Sequence, residues 1–347
     1  MNISLMFFPY GKIYDKCQYQ LMQEAALFAD KNNFTAIWMP ERHFHPFGGL
    51  YPNPAITSAA LSTITKNIHL RAGSVISPIH DIIRIAEEWS VVDNLSNGRI
   101  GLSFASGWHE NDFVFYPDNY INRYSVMSEQ IKIFNAAWAG GKVLRKNGKN
   151  ELIEIELWPK PYKKDVPIWL SVASNPEGFV SAGSLGYGVL THLINQDISA
   201  LKKNIQLYNN ALANNGLTSK TSRVTLMLHT YINNDKINLY KDVEKTFKIY
   251  LRNVAKFGGV KASNTARSAT INIDLQEQML DVAYKRYLNS ASLIGTTEQC
   301  LSYIKDLIEI GVNEIAALVD FGLPHKKVFQ SLILLNNIRK QLCYIED

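Results

Sequence analysis

The feature that most constrains the fold of this 347-residue chain is a regular alternation of short strand-like and longer helix-like segments. Short runs rich in β-branched and aromatic residues are typical of buried strands, and their alternation with helical segments predicts βαβ units and a parallel sheet. Eight strands are predicted, at Ile3–Phe8, Thr35–Met39, Ile68–Gly73, Ile100–Ala105, Ile168–Val172, Gly188–Thr191, Arg223–Tyr231 and Glu314–Leu318. Eight parallel strands close into a barrel, so the predicted fold class is α/β, a (β/α)8 TIM barrel.

Two connections are longer than the ordinary loops of such a barrel. Residues 106–122 follow the fourth strand, and residues 258–292 separate the seventh helix from the eighth unit. Excess loop length in a compact domain is usually functional or disordered. The second insertion suits either a mobile lid or a surface excursion. We therefore predict one barrel domain over residues 1–347 that carries two insertions.

Composition excludes several classes of partner. No apolar run approaches the roughly 18 residues of a membrane span. The net charge of +5 is spread along the chain, which indicates a mildly basic surface and not a nucleic-acid site. Cys17, Cys300 and Cys343 are far apart and fit neither a zinc site nor a disulfide framework. We expect a cytoplasmic protein that binds no membrane and no nucleic acid.

The predicted carboxyl ends of the strands, where the active site of a TIM barrel lies, are rich in polar residues. His43 follows the second strand, His109 the fourth and His192 the sixth. Each is a candidate acid/base group, with a structural histidine satisfied by neighbours as the alternative. His43 and His45 are two residues apart, but no carboxylate pattern completes a metal site, so no metal is predicted.

The stretch after the fifth strand resembles an anion site. Ser174, Asn175 and Gly178 lead into a predicted helix, and the free N–H groups and dipole of a helix start attract a phosphate. The alternative is plain helix capping by the same residues.

Five motifs, in order, are similar to those of the bacterial luciferase-like monooxygenases. They are Trp38–Phe44 (WMPERHF), Asn53-Pro54, Asp93–Arg99 (DNLSNGR), Ser106–Phe113 (SGWHENDF) and Pro167–Asn175 (PIWLSVASN). The segments ERHFHPFGG, SGWHENDF and VLTHLINQD further resemble a subgroup associated with polyketide and nonribosomal peptide biosynthesis.

The resemblance implies a two-component monooxygenase whose FMNH2 comes from a separate NAD(P)H:flavin reductase. Reduced FMN would react with O2 to give a flavin C4a-(hydro)peroxide, which hydroxylates an organic substrate. The subgroup implies a substrate tethered to an acyl or peptidyl carrier protein, and the family implies a homodimer. Two alternatives stay open: an F420-dependent oxidoreductase on the same barrel, and a non-catalytic flavin-binding protein.

Position by position, the resemblance assigns Gly73-Ser74 to a peptide, often cis, against the flavin ring. It assigns Ser174, Asn175 and the helix start at Gly178 to the FMN phosphate, and we include Ser106 in the cofactor site. We assign the substrate pocket to three side chains at strand ends: Phe8, Glu41 and Trp108.

The chain departs from the luciferase pattern beside its second strand. Luciferases place a catalytic histidine directly after the glutamate, whereas this chain has Arg42 there and His43 next. Arginine is no general base at neutral pH, but it binds phosphate, carboxylate or peroxide charge. Ala105 matches the reactive cysteine of luciferases, which argues against light emission. We predict His43 as the acid/base group nearest the flavin, with Arg42, His109 and His192 as further catalytic candidates.

Overall fold

Eight parallel strands form a closed barrel with helices around it. The computed structural model describes residues 1–9, 17–217, 222–257 and 273–343. The strands are β1 (Asn2–Met6), β2 (Ala36–Met39), β3 (His69–Ile76), β4 (Ile100–Ala105), β5 (Val143–Lys146), β6 (Leu152–Ile155), β7 (Ile168–Ser171), β8 (Gly188–His192), β9 (Val224–Ile232), β10 (Ser292–Gly295) and β11 (Glu314–Leu318). The barrel order is β1-β2-β3-β4-β7-β8-β9-β11, and pairing of β11 with β1 closes it.

The helices follow the strands as a βα repeat requires. They are α1 (Cys17–Lys31), α2 (Pro54–Ser62), α3 (Ile82–Ser96), α4 (Arg123–Trp138), α5 (Pro176–Ser184), α6 (Ile198–Asn214), α7 (Lys236–Phe257), α8 (Ile273–Arg286), α9 (Thr297–Glu309) and α10 (His325–Cys343). In the part of the chain that the structure describes, we find no helix with the length and apolar content to cross a bilayer.

All eight predicted strands are present, each end within three residues of its predicted position. Two features were not predicted. The antiparallel hairpin β5–β6 lies between α4 and β7, and the short strand β10 pairs with the end of β9. The predicted 106–122 insertion contains two short 3-10 helices. The second insertion contains α8 and a π-helical turn over Tyr287–Ala291, while residues 258–272 lie outside the described residues.

Two of the sequence motifs have structural roles. Asn53 caps α2, because its side-chain oxygen accepts the N–H groups of Ala55 and Ile56. Arg99 donates to the carbonyl oxygen of Ile68 at 2.6 Å, which fixes the start of β4 against the start of β3. Asn53 therefore stabilises the start of α2, and Arg99 positions two strands.

A buried ion pair fills the amino-terminal half of the barrel. Arg71 in β3 lies 2.8 Å from a carboxylate oxygen of Glu314 in β11, and the indole N–H of Trp38 donates to the same carboxylate at 2.9 Å. The Arg71 guanidinium lies over the rings of Trp38 and Trp169. Because this end is filled, the opposite, carboxyl end is where a ligand has access.

Candidate functional site

The centre of the site is a buried carboxylate that contacts two imidazoles. Glu41, directly after β2, has a side chain only 1% exposed. Its Oε1 lies 3.0 Å from Nε2 of His43 and also hydrogen bonds to Nε2 of His80, while Oε2 accepts the backbone N–H of Ile76 at 2.6 Å. Both oxygens of Glu41 are therefore engaged by the protein, and its assignment to the substrate pocket stays a prediction.

The Glu41 carboxylate and the charged His80 imidazole stabilise each other. Burial disfavours the ionised carboxylate, but the hydrogen bonds from His43, His80 and Ile76 outweigh burial and lower the pKa of Glu41. Burial likewise opposes charge on His80, but the hydrogen bond and charge of Glu41 outweigh it and raise the pKa of His80. The three nitrogen and oxygen atoms lie within 4.8 Å of one another, as in some metal sites. Because Glu41 is hydrogen-bonded to both rings, we interpret the group as an acid/base cluster.

Arg42 forms a buried ion pair. Its Nη1 bonds to a carboxylate oxygen of Asp112, which lies in the 3-10 helix after β4, and both side chains are 2% exposed. Its Nε and the second Asp112 oxygen are buried without a hydrogen-bond partner among the described residues. The guanidinium lies 5.0 Å from the Trp108 ring centre. Asp112 thus already neutralises the charge that the sequence assigned to a ligand, and Nε is the donor left for one.

The end of β3 carries a cis peptide bond between Gly73 and Ser74. The Ser74 hydroxyl hydrogen bonds to the hydroxyl of Ser171, which lies 2.7 Å from the hydroxyl of Ser103. A side chain at position 73 would lie 3.1 Å from Trp38, so packing beneath the strand also requires glycine. Three adjacent strands are joined by this chain of hydroxyls.

The start of α5 is partly occupied by its own cap. Asn175 accepts the N–H of Glu177 at 3.1 Å through its side chain and the N–H of Gly178 at 3.1 Å through its carbonyl. A Cβ at position 178 would lie 2.7 Å from Val172, so this glycine permits close packing of helix on strand. A phosphate here would bind the half-buried Ser174 and displace the Asn175 side chain.

The two other histidine candidates make no hydrogen bond to Glu41 among those found in the described residues. His109 accepts the N–H of Asn111, and burial together with nearby Arg42 lowers the pKa of His109. His192 ends β8, across the barrel from β2. Its Nδ1 accepts the N–H of Ile194 at 3.2 Å, and burial lowers the pKa of His192 to about 4. His192 is thus neutral at physiological pH.

Exposed aromatic rings surround His43. Its ring centre lies 5.5 Å from that of Phe44 and 5.2 Å from that of Phe115, and these two rings are 63% and 49% exposed. Trp108 is 51% exposed and covers Arg42, while Ser106 lies half-buried at the end of β4. Apolar rings around one imidazole form a surface suited to an apolar substrate.

A carboxyl group follows the last barrel strand. Asp320 accepts the backbone N–H of Phe8 at 2.7 Å, and its second oxygen is buried without a partner among the described residues. Burial raises the pKa of Asp320 to about 7. The Phe8 ring packs edge-on against Phe47, 5.0 Å away, so Phe8 lines the mouth of the barrel beside this carboxyl.

Hydrogen bonds of Glu41 and the ion pair of Arg42 with Asp112 therefore connect the ends of β2, β3 and β4. Ser174 follows β7, and His192 ends β8 across the barrel from β2. Sequence reasoning missed three functional candidates: His80, Asp112 and Asp320. Asp112 lies within a recognised motif, and Asp320 directly follows a predicted strand end, so position alone was a usable signal for both. His80 had no such signal.

Known proteins share both the sequence pattern and the fold. The alkanal monooxygenase alpha chain of the Kryptophanaron alfredi symbiont is 23% identical over 88% of this chain and 87% of its own length. The oxygenase component of the flavin-dependent trigonelline monooxygenase of Acinetobacter baylyi is 24% identical over 90% and 87%.

Solved structures agree on the architecture. Monooxygenase RslO1 from Streptomyces bottropensis superposes with a TM-score of 0.80 at 19% identity, covering 97% of this chain and 98% of that one. An F420-dependent secondary alcohol dehydrogenase superposes with a TM-score of 0.69 at 16% identity, covering 94% and 98%. The sequence model of the luciferase-like monooxygenases matches residues 3–314. The chain therefore belongs to the luciferase-like monooxygenase family.

Proposed function

We propose that the protein is the oxygenase component of a two-component, FMNH2-dependent monooxygenase in which His43 moves the proton needed for oxygen transfer. The observation that carries this proposal is the Glu41 carboxylate, which orients the His43 imidazole and binds Ile76, two residues beyond the Gly73-Ser74 peptide. An acid/base group is thereby held beside the backbone segment against which family members place flavin.

The residues fit reduced FMN, with one adjustment. Gly73 and Ser74 would face the isoalloxazine ring, and the Ser174 hydroxyl would bind the phosphate at the start of α5. The partnerless Nε of Arg42 offers a buried donor for an oxygen of the ligand. The adjustment is at Asn175, whose side chain must leave the N–H of Glu177 for the helix start to bind phosphate.

Bound reduced flavin supplies the two electrons that activate O2. The protein groups then orient and protect the reacting atoms. The His43 imidazole lies beside Glu41 as the group that moves the proton, the rings of Phe44 and Phe115 lie against His43, and Trp108 covers Arg42. The neutral His192 adds a hydrogen-bond group on the opposite wall.

The substrate that suits this aromatic surface is an apolar organic molecule that becomes hydroxylated. We propose an acyl or peptidyl chain carried on a carrier protein, which the wide, exposed rim around Phe44 and Trp108 leaves room to approach. A separate NAD(P)H:flavin reductase would supply FMNH2, as the name of the trigonelline oxygenase component suggests for that protein. F420-dependent hydride transfer is the second candidate, because an F420 enzyme shares the fold.

Reduced FMN is expected to bind much more tightly than oxidised FMN, because a two-component enzyme captures FMNH2 released by its partner. Anaerobic equilibrium titration of both redox forms measures this difference.

The variant Ser174→Glu is expected to abolish binding of both forms of FMN, because it places a negative charge where the phosphate binds. Its circular dichroism should remain unchanged. Equal affinity for the two forms would rule out the two-component scheme, and normal binding by Ser174→Glu would show that the phosphate binds elsewhere.

The protein is expected to form a homodimer through α2 and α3. Ile56 is 68% exposed and Val91 44% exposed beside a groove of about 440 Å³ between these helices and Trp158. Ile56→Lys should therefore shift sedimentation toward monomer. Ile237→Lys, which changes an 83% exposed isoleucine on α7, is the matched control and should leave the mass unchanged. A wild-type monomer would refute this interface.

A further inference from the structure

We propose that His80 and Glu41 form a proton route that connects solvent to His43. This inference depends on the proposed function for its purpose, but the route itself is a property of the cofactor-free protein. It assigns a role to His80, a residue outside the sequence motifs of the site.

Of the three side chains, His80 is the most exposed to solvent and Glu41 the least. The side chain of His80 is 28% exposed, that of Glu41 is 1% exposed, and that of His43 is 8% exposed beneath two aromatic rings. Both imidazoles contact the same oxygen, Oε1 of Glu41. A single carboxylate oxygen therefore bridges an imidazole near solvent and an imidazole at the candidate reaction centre.

One imidazole would suffice if Glu41 only oriented His43. The other carboxylate oxygen is already fixed by the N–H of Ile76, so His80 is not needed to hold Glu41 in place. A second titratable ring on the bridging oxygen adds what a fixed hydrogen-bond donor does not: a proton that can be released and regained.

A small cavity lies on the outer side of the route. Its volume is about 10 Å³, and its polar walls are Glu41, Asn53, His80 and Glu88. That volume is enough for about one water molecule, and four polar side chains line it. Water in this cavity would link His80 to bulk solvent.

The proton transfer balances without any oxidant or reductant. When neutral His43 carries its proton on Nδ1, doubly protonated His80 gives its Nε2 proton to Oε1 of Glu41, and Glu41 gives that proton to the unprotonated Nε2 of His43. His80 then regains a proton from water. Only N–H and O–H bonds form and break, and the final state has one more proton on His43.

The surrounding charges keep a proton available at the outer end of the route. Glu88 of α3 lies near His80 and stabilises its charged form, although Arg84 pairs with Glu88 at 3.0 Å and moderates that effect. On the inner side, Arg42 and Asp112 form a pair that neutralises itself. His80 is therefore the proton reservoir of the route.

The test measures how fast the ring N–H of His43 exchanges with water in cofactor-free protein, by NMR with labelled histidine. His80→Gln keeps a hydrogen-bond donor toward Glu41 but carries no transferable proton. We expect exchange at His43 to slow at least about tenfold in this variant. In His80→Ala, added imidazole should restore exchange. His325→Ala, at an exposed histidine beside Glu24, is the matched control and should leave exchange unchanged.

Three results would overturn the route. Faster exchange in His80→Gln would mean that His80 only blocks solvent. Unchanged exchange would mean that protons reach His43 another way. A stoichiometric metal ion in the purified protein that His80→Gln loses would mean that the cluster binds metal instead. None of these outcomes depends on FMN, so each is distinct from failure of the proposed function.

Discussion

Replacing His43 by alanine is expected to lower the rate of oxygen transfer to substrate by about a hundredfold to ten-thousandfold, the usual effect of losing a positioned acid/base group. Reduced FMN should still bind and oxygen should still be consumed, because neither requires this imidazole. The oxygen should then leave as hydrogen peroxide. The ratio of peroxide released to oxygen consumed, measured with an acyl thioester of N-acetylcysteamine as a soluble mimic of a carrier-bound chain, reports the change.

The matched controls are the two other histidine candidates. His109→Ala and His192→Ala should retain most coupled turnover, since His109 caps a 3-10 helix and His192 lies across the barrel from β2. If His43→Ala turned over normally and one of these controls released peroxide, the acid/base role would pass to that histidine.

Breaking the buried pair of Arg42 and Asp112 is expected to cost about 3–5 kcal/mol of folding free energy, because one charge is left without its partner. Asp112→Ala and Arg42→Ala should both show this loss in chemical denaturation at neutral pH. Arg42→Lys should recover only part of it, because an ammonium lacks the planar fork and the contact with Trp108.

The double variant Arg42→Met with Asp112→Leu is the sharper comparison. It removes both charges and keeps apolar volume, so much of the stability should return even if flavin binding does not. Losses below about 1 kcal/mol in both single variants, as for exposed ion pairs, would contradict the buried pair described here.

Most of the fold was predictable because the periodic pattern of each strand and helix lies within its own short segment of the sequence. The eight barrel strands are buried runs flanked by turn residues, and their number alone specifies a closed barrel. The four-residue strand β10 was missed because it follows a helical turn without a separating loop. The hairpin β5–β6 was missed because its two strands are only four residues long and largely exposed.

The sequence indicates which residues lie near the strand ends but not which groups they contact. His43 and Arg42 follow β2, and Ser74 lies in the second half of β3, while their roles stay predictions. Sequence does not say which way a loop side chain points, so Glu41 was expected to face substrate although it is buried against two imidazoles.

The partners of these residues come from distant segments. His80 reaches Glu41 from 39 positions along the chain, and Asp112 reaches Arg42 from 70 positions. Such pairings follow from barrel geometry and not from any local pattern. The folded structure is needed to identify them.

Oxygen consumption with two reduced cofactors tests the central claim most directly. The protein is mixed with reduced FMN, supplied by a separate NAD(P)H:flavin reductase, or with reduced F420, and oxygen uptake is followed with an electrode against the reductase alone. The proposed function predicts protein-dependent change in oxygen use and product with reduced FMN and none with reduced F420. Oxidation of F420 coupled to reduction of an organic carbonyl, with no effect of reduced FMN, would contradict it.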